Sequence, residues 1–150
     1  MMERRDMLAA SAGGIAALLL AAQGAGSAAA ETAATGSGPN PKVDALAQAA
    51  GACTVAGNVC LQHCLTILAQ GDKSLGDCAK AVSQMLAVCN AMSTLAAFNS
   101  QYAPRLAKLC VDVCTDCEKA CRPHAEHHAV CKACADACVA TIAQAKLVAA

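Results

Sequence analysis

Between Lys108 and Cys138 the chain reads KLCVDVCTDCEKACRPHAEHHAVCKACADAC. Its seven cysteines, Cys110, Cys114, Cys117, Cys121, Cys131, Cys134 and Cys138, are preceded by Cys53, Cys60, Cys64, Cys78 and Cys89. Twelve thiols in 150 residues, with one Tyr, one Phe and no Trp, are open to three kinds of chemistry. They can be oxidised to disulfides, they can hold a metal as thiolates, or they can fill a core as small apolar side chains. Catalysis is not expected. The core-facing positions show no nucleophile–base pairing and no paired carboxylates, and a reactive thiol needs exposure and a lowered pKa.

Positioning these thiols falls to a single domain preceded by a processing segment. Residues 1–30 begin with Arg4-Arg5, continue through an apolar stretch from Met7 to Ala22 and end on Ala28-Ala29-Ala30, an A-x-A cleavage pattern before Glu31. Paired arginines ahead of a short apolar stretch resemble a twin-arginine export signal. Asp6 and Met7 depart from that pattern and Leu8 keeps it. An ordinary secretory signal carrying two arginines is the alternative. The expected location is therefore outside the cytoplasm, in the periplasm or on associated membranes, with no membrane span in the mature chain. Residues 31–42, small, polar and broken by Pro39 and Pro41, read as a flexible leader. The compact domain is expected over 43–150. Net charge is zero, and without basic clusters or stacking aromatics there is no basis for nucleic-acid binding.

Four segments of that domain lack Pro beyond a first turn, where it is tolerated, and are rich in helix-forming Ala, Leu, Lys and Gln. The expected helices run from Val43 to Gln70, Ser74 (as N-cap) to Phe98, Pro104 to Arg122, and Ala125 to Val148. Short connections make each the antiparallel neighbour of the last, an all-α, up-down-up-down four-helix bundle. On helical wheels the thiols of each helix fall on one stripe, within about 20–60°. Each helix thus turns its cysteines where an amphipathic helix turns its core. Val82, Met85 and Met92 share the stripe of the second helix.

Spacing then separates the chemistries. Thiols three or four apart on a helix have Cβ atoms about 5–6 Å apart, too wide for the roughly 3.5–4.5 Å of a disulfide. Disulfides would therefore have to join different helices. The twin C-x3-C of Cys117/Cys121 and Cys134/Cys138 suits a stapled helical hairpin, but leaves eight cysteines without partners. Cys114-x2-Cys117 with Cys131-x2-Cys134 matches a zinc–thiolate spacing, yet both pairs lie inside helical composition. No C-x-x-C is followed by His, so haem attachment is excluded. An iron–sulfur cluster ordinarily draws on loops. Thiolates select Cu(I), and an ion held nearly linearly by two sulfurs can bridge the i,i+4 pairs Cys60/Cys64, Cys110/Cys114, Cys117/Cys121 and Cys134/Cys138. Thiolates shared between ions would allow on the order of one Cu(I) per cysteine. A disulfide-stapled helical protein of structural or binding role, or a zinc–thiolate protein, remains the alternative.

The C-x3-C pairs, the cysteine stripe on every helix and the paired-arginine leader together resemble the exported copper storage proteins of bacteria. The resemblance spans residues 43–148 and the signal. It implies a tetramer of four-helix bundles, each holding many Cu(I) ions along its core, that supplies or buffers copper for methane oxidation in methanotrophs. A copper-requiring acceptor protein is then a partner. Carried over position by position, the resemblance makes all twelve cysteines the metal ligands.

Antiparallel topology places the turns at Gly71–Lys73 and Pro123–His124 at one end. His124, His127 and His128 gather there, with His127 expected on the core stripe of the fourth helix. Copper is expected to enter past these histidines; the alternative is that they cap a surface loop. His63 is expected at the surface. Leu46, Phe98, Leu106, Ile142 and Leu147 are expected to plug the far end. Met85 and Met92 fit either core packing or a part in copper uptake.

Overall fold

A computed structural model of the chain describes residues 40–150. The expected export signal, and the leader as far as residue 39, lie outside the described residues. Among the described residues the elements are α1 (Pro41–Ala69), α2 (Gly76–Ala97), α3 (Ala103–Cys121), a 3-10 turn (Arg122–His124) and α4 (Ala129–Ala149), with no strand. α1 packs on α2 and α4, and α3 packs on α2 and α4. This is the cyclic neighbour order of an antiparallel four-helix bundle, as the sequence implied.

Local chemistry sets the helix ends. Asn40 caps α1 by accepting the Lys42 backbone N–H at 3.2 Å on its side-chain oxygen, and Pro41 opens the helix where its missing N–H costs nothing. Gly71, at φ 90°, ends α1 in the left-handed region that glycine tolerates. Ser74 does not cap α2: its backbone N–H donates to Asp72 Oδ1 at 2.8 Å in a turn, and Leu75, fully buried, takes the cap position.

The fourth helix begins four residues later than its composition suggested. The chain leaves α3 through the 3-10 turn around Pro123. His124 O then accepts from the backbone N–H of His127 and His128, and His128 is extended (φ −130°, ψ 96°) before Ala129 opens α4. Pro123 lacks the N–H that a continuous helix would need. Arg122 braces this corner, pairing with Glu118 at 2.6 Å and with Asp136 across on α4 at 2.8 Å.

The far end is sealed, though not wholly by the residues expected. Leu46 is fully buried, and Leu106 and Ile142 pack partly against the core. Phe98 is 79% exposed and Leu147 51% exposed. Phe98 follows the last turn of α2, just before Asn99 adopts the left-handed region at φ 47°. Buried Val43, Ala96, Ala103, Ala107, Ala145 and Val148 complete the seal instead.

Among the described residues, α1 alone is long and apolar enough to cross a membrane by length and composition. Its inward stripe, Val43 through Cys64, is nevertheless buried in the bundle. Gly57 on that stripe admits α2 closely: a Cβ there would sit 2.6 Å from Met85 Cε and 3.0 Å from Leu86 Cδ2.

Candidate metal centre

All twelve cysteines are fully buried, and none is joined in a disulfide. Cys53, Cys60 and Cys64 come from α1, Cys78 and Cys89 from α2. Cys110, Cys114, Cys117 and Cys121 come from α3, and Cys131, Cys134 and Cys138 from α4. The four stripes converge because each follows the 3.6-residue period of its helix.

Sulfur meets sulfur both along and between helices. Cys110–Cys114 and Cys117–Cys121 stand at 3.9 and 4.0 Å within α3. Across helices the separations are 3.1 Å for Cys78–Cys121, 3.6 Å for Cys89–Cys114, 3.7 Å for Cys53–Cys138, 3.8 Å for Cys60–Cys131 and Cys64–Cys78, and 3.9 Å for Cys117–Cys134. A metal–thiolate bond of about 2.3 Å, the zinc value, spaces two linear ligands about 4.6 Å apart and three trigonal ligands about 4.0 Å apart. Small movements therefore suffice to seat an ion between these sulfurs.

Five groups have all their sulfurs within 4.8 Å of one another: Cys60/Cys64/Cys78/Cys131, Cys60/Cys121/Cys134, Cys117/Cys134/Cys138, Cys53/Cys114/Cys138 and Cys89/Cys110/Cys114. Each shares one cysteine with the next, through Cys60, Cys134, Cys138 and Cys114 in turn. The groups thus form a chain down the bundle. The four cysteines of the zinc-like spacing, Cys114, Cys117, Cys131 and Cys134, fall into no single group.

The environment governs which thiols keep their protons. Burial, reinforced by the charge of Cys78, pushes Cys64 up to about 12 and Cys131 to about 11. Hydrogen bonds from neighbouring thiols act the other way, led by Cys121 for Cys78, lowered to about 3, and by Cys114 for Cys110, lowered to about 4. Cys53 is lowered chiefly by Cys114 and Cys134 chiefly by Cys117. No cationic side chain is buried with them: among the described residues the buried polar side chain is Thr141, which donates to Ala49 O and Ala137 O.

At the end bearing the Gly71 turn, His63 Nε2 and His128 Nδ1 lie 3.0 Å apart, and the His124 ring lies 6.4 Å from that of His128. His63, expected at the surface, is half-buried, and His127, expected on the α4 stripe, is exposed ahead of the helix. His63 precedes Cys64 and His128 lies three residues before Cys131, so the histidine pair is at the end of the bundle that carries these two thiols. Val82, Met85 and Met92 are fully buried on the α2 stripe, and Cys53 Sγ is 3.4 Å from Met85 Sδ.

The profile of a family described as copper storage protein matches residues 40–150. The chain belongs to the copper storage protein family. No curated protein matches it. A family of metal-storing proteins and a core of clustered thiols agree on one chemistry, copper held by cysteine sulfur in the interior of a helical bundle.

With every sulfur buried and unbonded, native metal-free protein should resist alkylation, whereas denaturing it without reductant should yield twelve adducts by mass spectrometry. A deficit in pairs, with air oxidation excluded, would mean that disulfides staple the bundle.

Proposed function

We propose that the chain is a non-catalytic reservoir in which all twelve cysteines bind Cu(I), at a ratio on the order of one ion per thiolate. The observation that carries this is the chained set of five thiol groups without a buried cationic side chain. Buried thiolates need countercharge. A monovalent soft ion supplies one charge per sulfur and can share each sulfur with a neighbouring ion. Divalent zinc in separate four-cysteine sites would not use the shared groups as economically. Copper enters past His63, His128 and His124, since the opposite end is sealed. The store then serves a copper-requiring acceptor.

Anaerobic titration of the reduced protein with Cu(I) against a competing chelator should take up about one ion per cysteine, and saturation at one or two ions would overturn the reservoir. In the same assay His63→Ala/His128→Ala should slow loading several-fold and leave capacity unchanged. An unchanged rate would move the access route elsewhere.

The chain also self-associates on this proposal, through the outer face of α1. From Ala45 to Gln70 there is no Asp, Glu, Lys or Arg. Gln48, Ala52, Val55, Val59, Gln62, Thr66 and Ala69, all exposed, recur at alternating spacings of four and three, the seam of a paired helix. Val55, Val59 and Leu65 are 68%, 52% and 54% exposed. At about 1.5 Å per residue the seam from Gln48 to Ala69 is about 32 Å long, and a second copy presents the same uncharged face in return. The family resemblance raises the expected assembly to a tetramer. Light scattering should find an oligomer for the unaltered chain and smaller species for Val59→Glu. A monomeric unaltered chain would remove the proposal.

Export by the twin-arginine route follows from Arg4-Arg5 and suits the chemistry, because that route carries folded proteins whose thiols are already buried. Replacing both arginines with lysine should hold the chain in the cytoplasm. Continued export would favour the ordinary secretory signal.

A further inference from the structure

We propose that Met85 is a copper ligand, a thioether donor built into an otherwise thiolate core. The inference rests on the storage reading above and adds to it a residue outside the cysteine set. Two of the five thiol groups, Cys60/Cys121/Cys134 and Cys53/Cys114/Cys138, draw one sulfur each from α1, α3 and α4 and none from α2. The second of these meets α2 through Cys89, whose Sγ lies 3.6 Å from that of Cys114, and through Met85. Met85 is fully buried, and Cys53 S–H donates to its Sδ at 3.4 Å. Adding it gives a four-sulfur set with one donor from each helix.

Two features make this a placed donor. The α2 stripe carries Cys78 and Cys89, and between them it holds Val82 and Met85. Only Met85 has a lone pair to offer, and that sulfur meets the thiol of Cys53. On the facing helix Gly57 leaves the space that the Met85 methyl occupies: a Cβ there would lie 2.6 Å from Cε. The absence of a side chain at 57 thus lets the thioether lie across the core.

The donor chemistry suits the ion. Thioether sulfur is soft and, like thiolate, selects Cu(I), but it is neutral. On loading, the Cys53 S–H bond breaks, its proton leaves to solvent, and Cu–S bonds form to Cys53 and to the Met85 sulfur lone pair. Nothing is oxidised or reduced. A fourth thiolate here would add an anion needing its own cation, whereas Met85 completes the coordination at no such cost.

Selenomethionine-labelled full-length protein, loaded to capacity with Cu(I), tests this by X-ray absorption at both edges. The copper edge reports sulfur coordination and hence the storage reading. The selenium edge reports whether a methionine touches copper. We expect a Se–Cu scattering path in the labelled protein, retained in Met92→Leu and lost in Met85→Leu, a swap that conserves volume and is tolerated in cores. Copper–sulfur scattering without any Se–Cu path in the unaltered chain would overturn the assignment and leave storage intact. So would a path that survives in Met85→Leu. Failure to take up copper at all would overturn both.

Discussion

Twelve sulfurs occupy the interior of a bundle that buries no cationic side chain, and that constraint governs everything else in the molecule. An isolated buried thiolate is prohibitive. The metal-free core can therefore exist only with most protons in place, shared along S–H···S contacts such as Cys78–Cys121 at 3.1 Å. Any ion that replaces a proton must bring comparable charge to a comparable position. On the storage reading, a soft monovalent cation meets that requirement. The copper storage family and the physics of the cavity point in the same direction.

The same constraint explains the sparse apolar bulk. Ordinary bundles fill their interiors with Leu, Ile and Phe. Here Leu46, Leu75, Met85, Met92 and Val82 are the largest fully buried side chains, and all but Met85 and Val82 lie toward the ends of their helices or the turns. Between them the core is cysteine and alanine, with Gly57, Leu86 and Thr141. Small side chains stabilise the apoprotein weakly, because buried area is what the hydrophobic effect rewards. Ligand bonds made only in the folded state shift the balance toward folding. On the storage reading, cargo and core packing are the same atoms.

Much of this was legible in the sequence because the 3.6-residue period is rigid. Twelve cysteines assigned to four inward stripes all proved fully buried. What periodicity cannot convey is how the chain turns between helices. Nothing between Ala125 and Ala129 breaks a helix by composition, yet the corner set by Pro123 and the extended His128 moves the start of α4, and His127 with it, off the core stripe. His63 looked peripheral because it sits on the flank of α1. In a bundle a flank faces the neighbouring helix, and the displaced His128 fills that gap. Phe98 was assigned inward by hydrophobicity alone, but it lies past the last turn of α2, where no helix covers it. Helical spacing cannot separate a packing role from a donor role for Met85, because the facing Gly57 and the nearby Cys53 thiol belong to another helix.

Overlap between the thiol groups has a consequence for exchange. If each group were separate, an ion moving inward would have to leave one site completely before reaching the next, crossing an apolar interval as a bare charge. Instead Cys60, Cys134, Cys138 and Cys114 each belong to two successive groups. An ion can keep its bond to the shared sulfur while exchanging its other ligands, as ions in a multi-site filter pass between adjacent positions without full release. Strong total binding and passage through a single open end are then compatible, because no step breaks every bond at once. On the proposed route past the histidines, such a chain is a blind tube, filled and emptied through the same end.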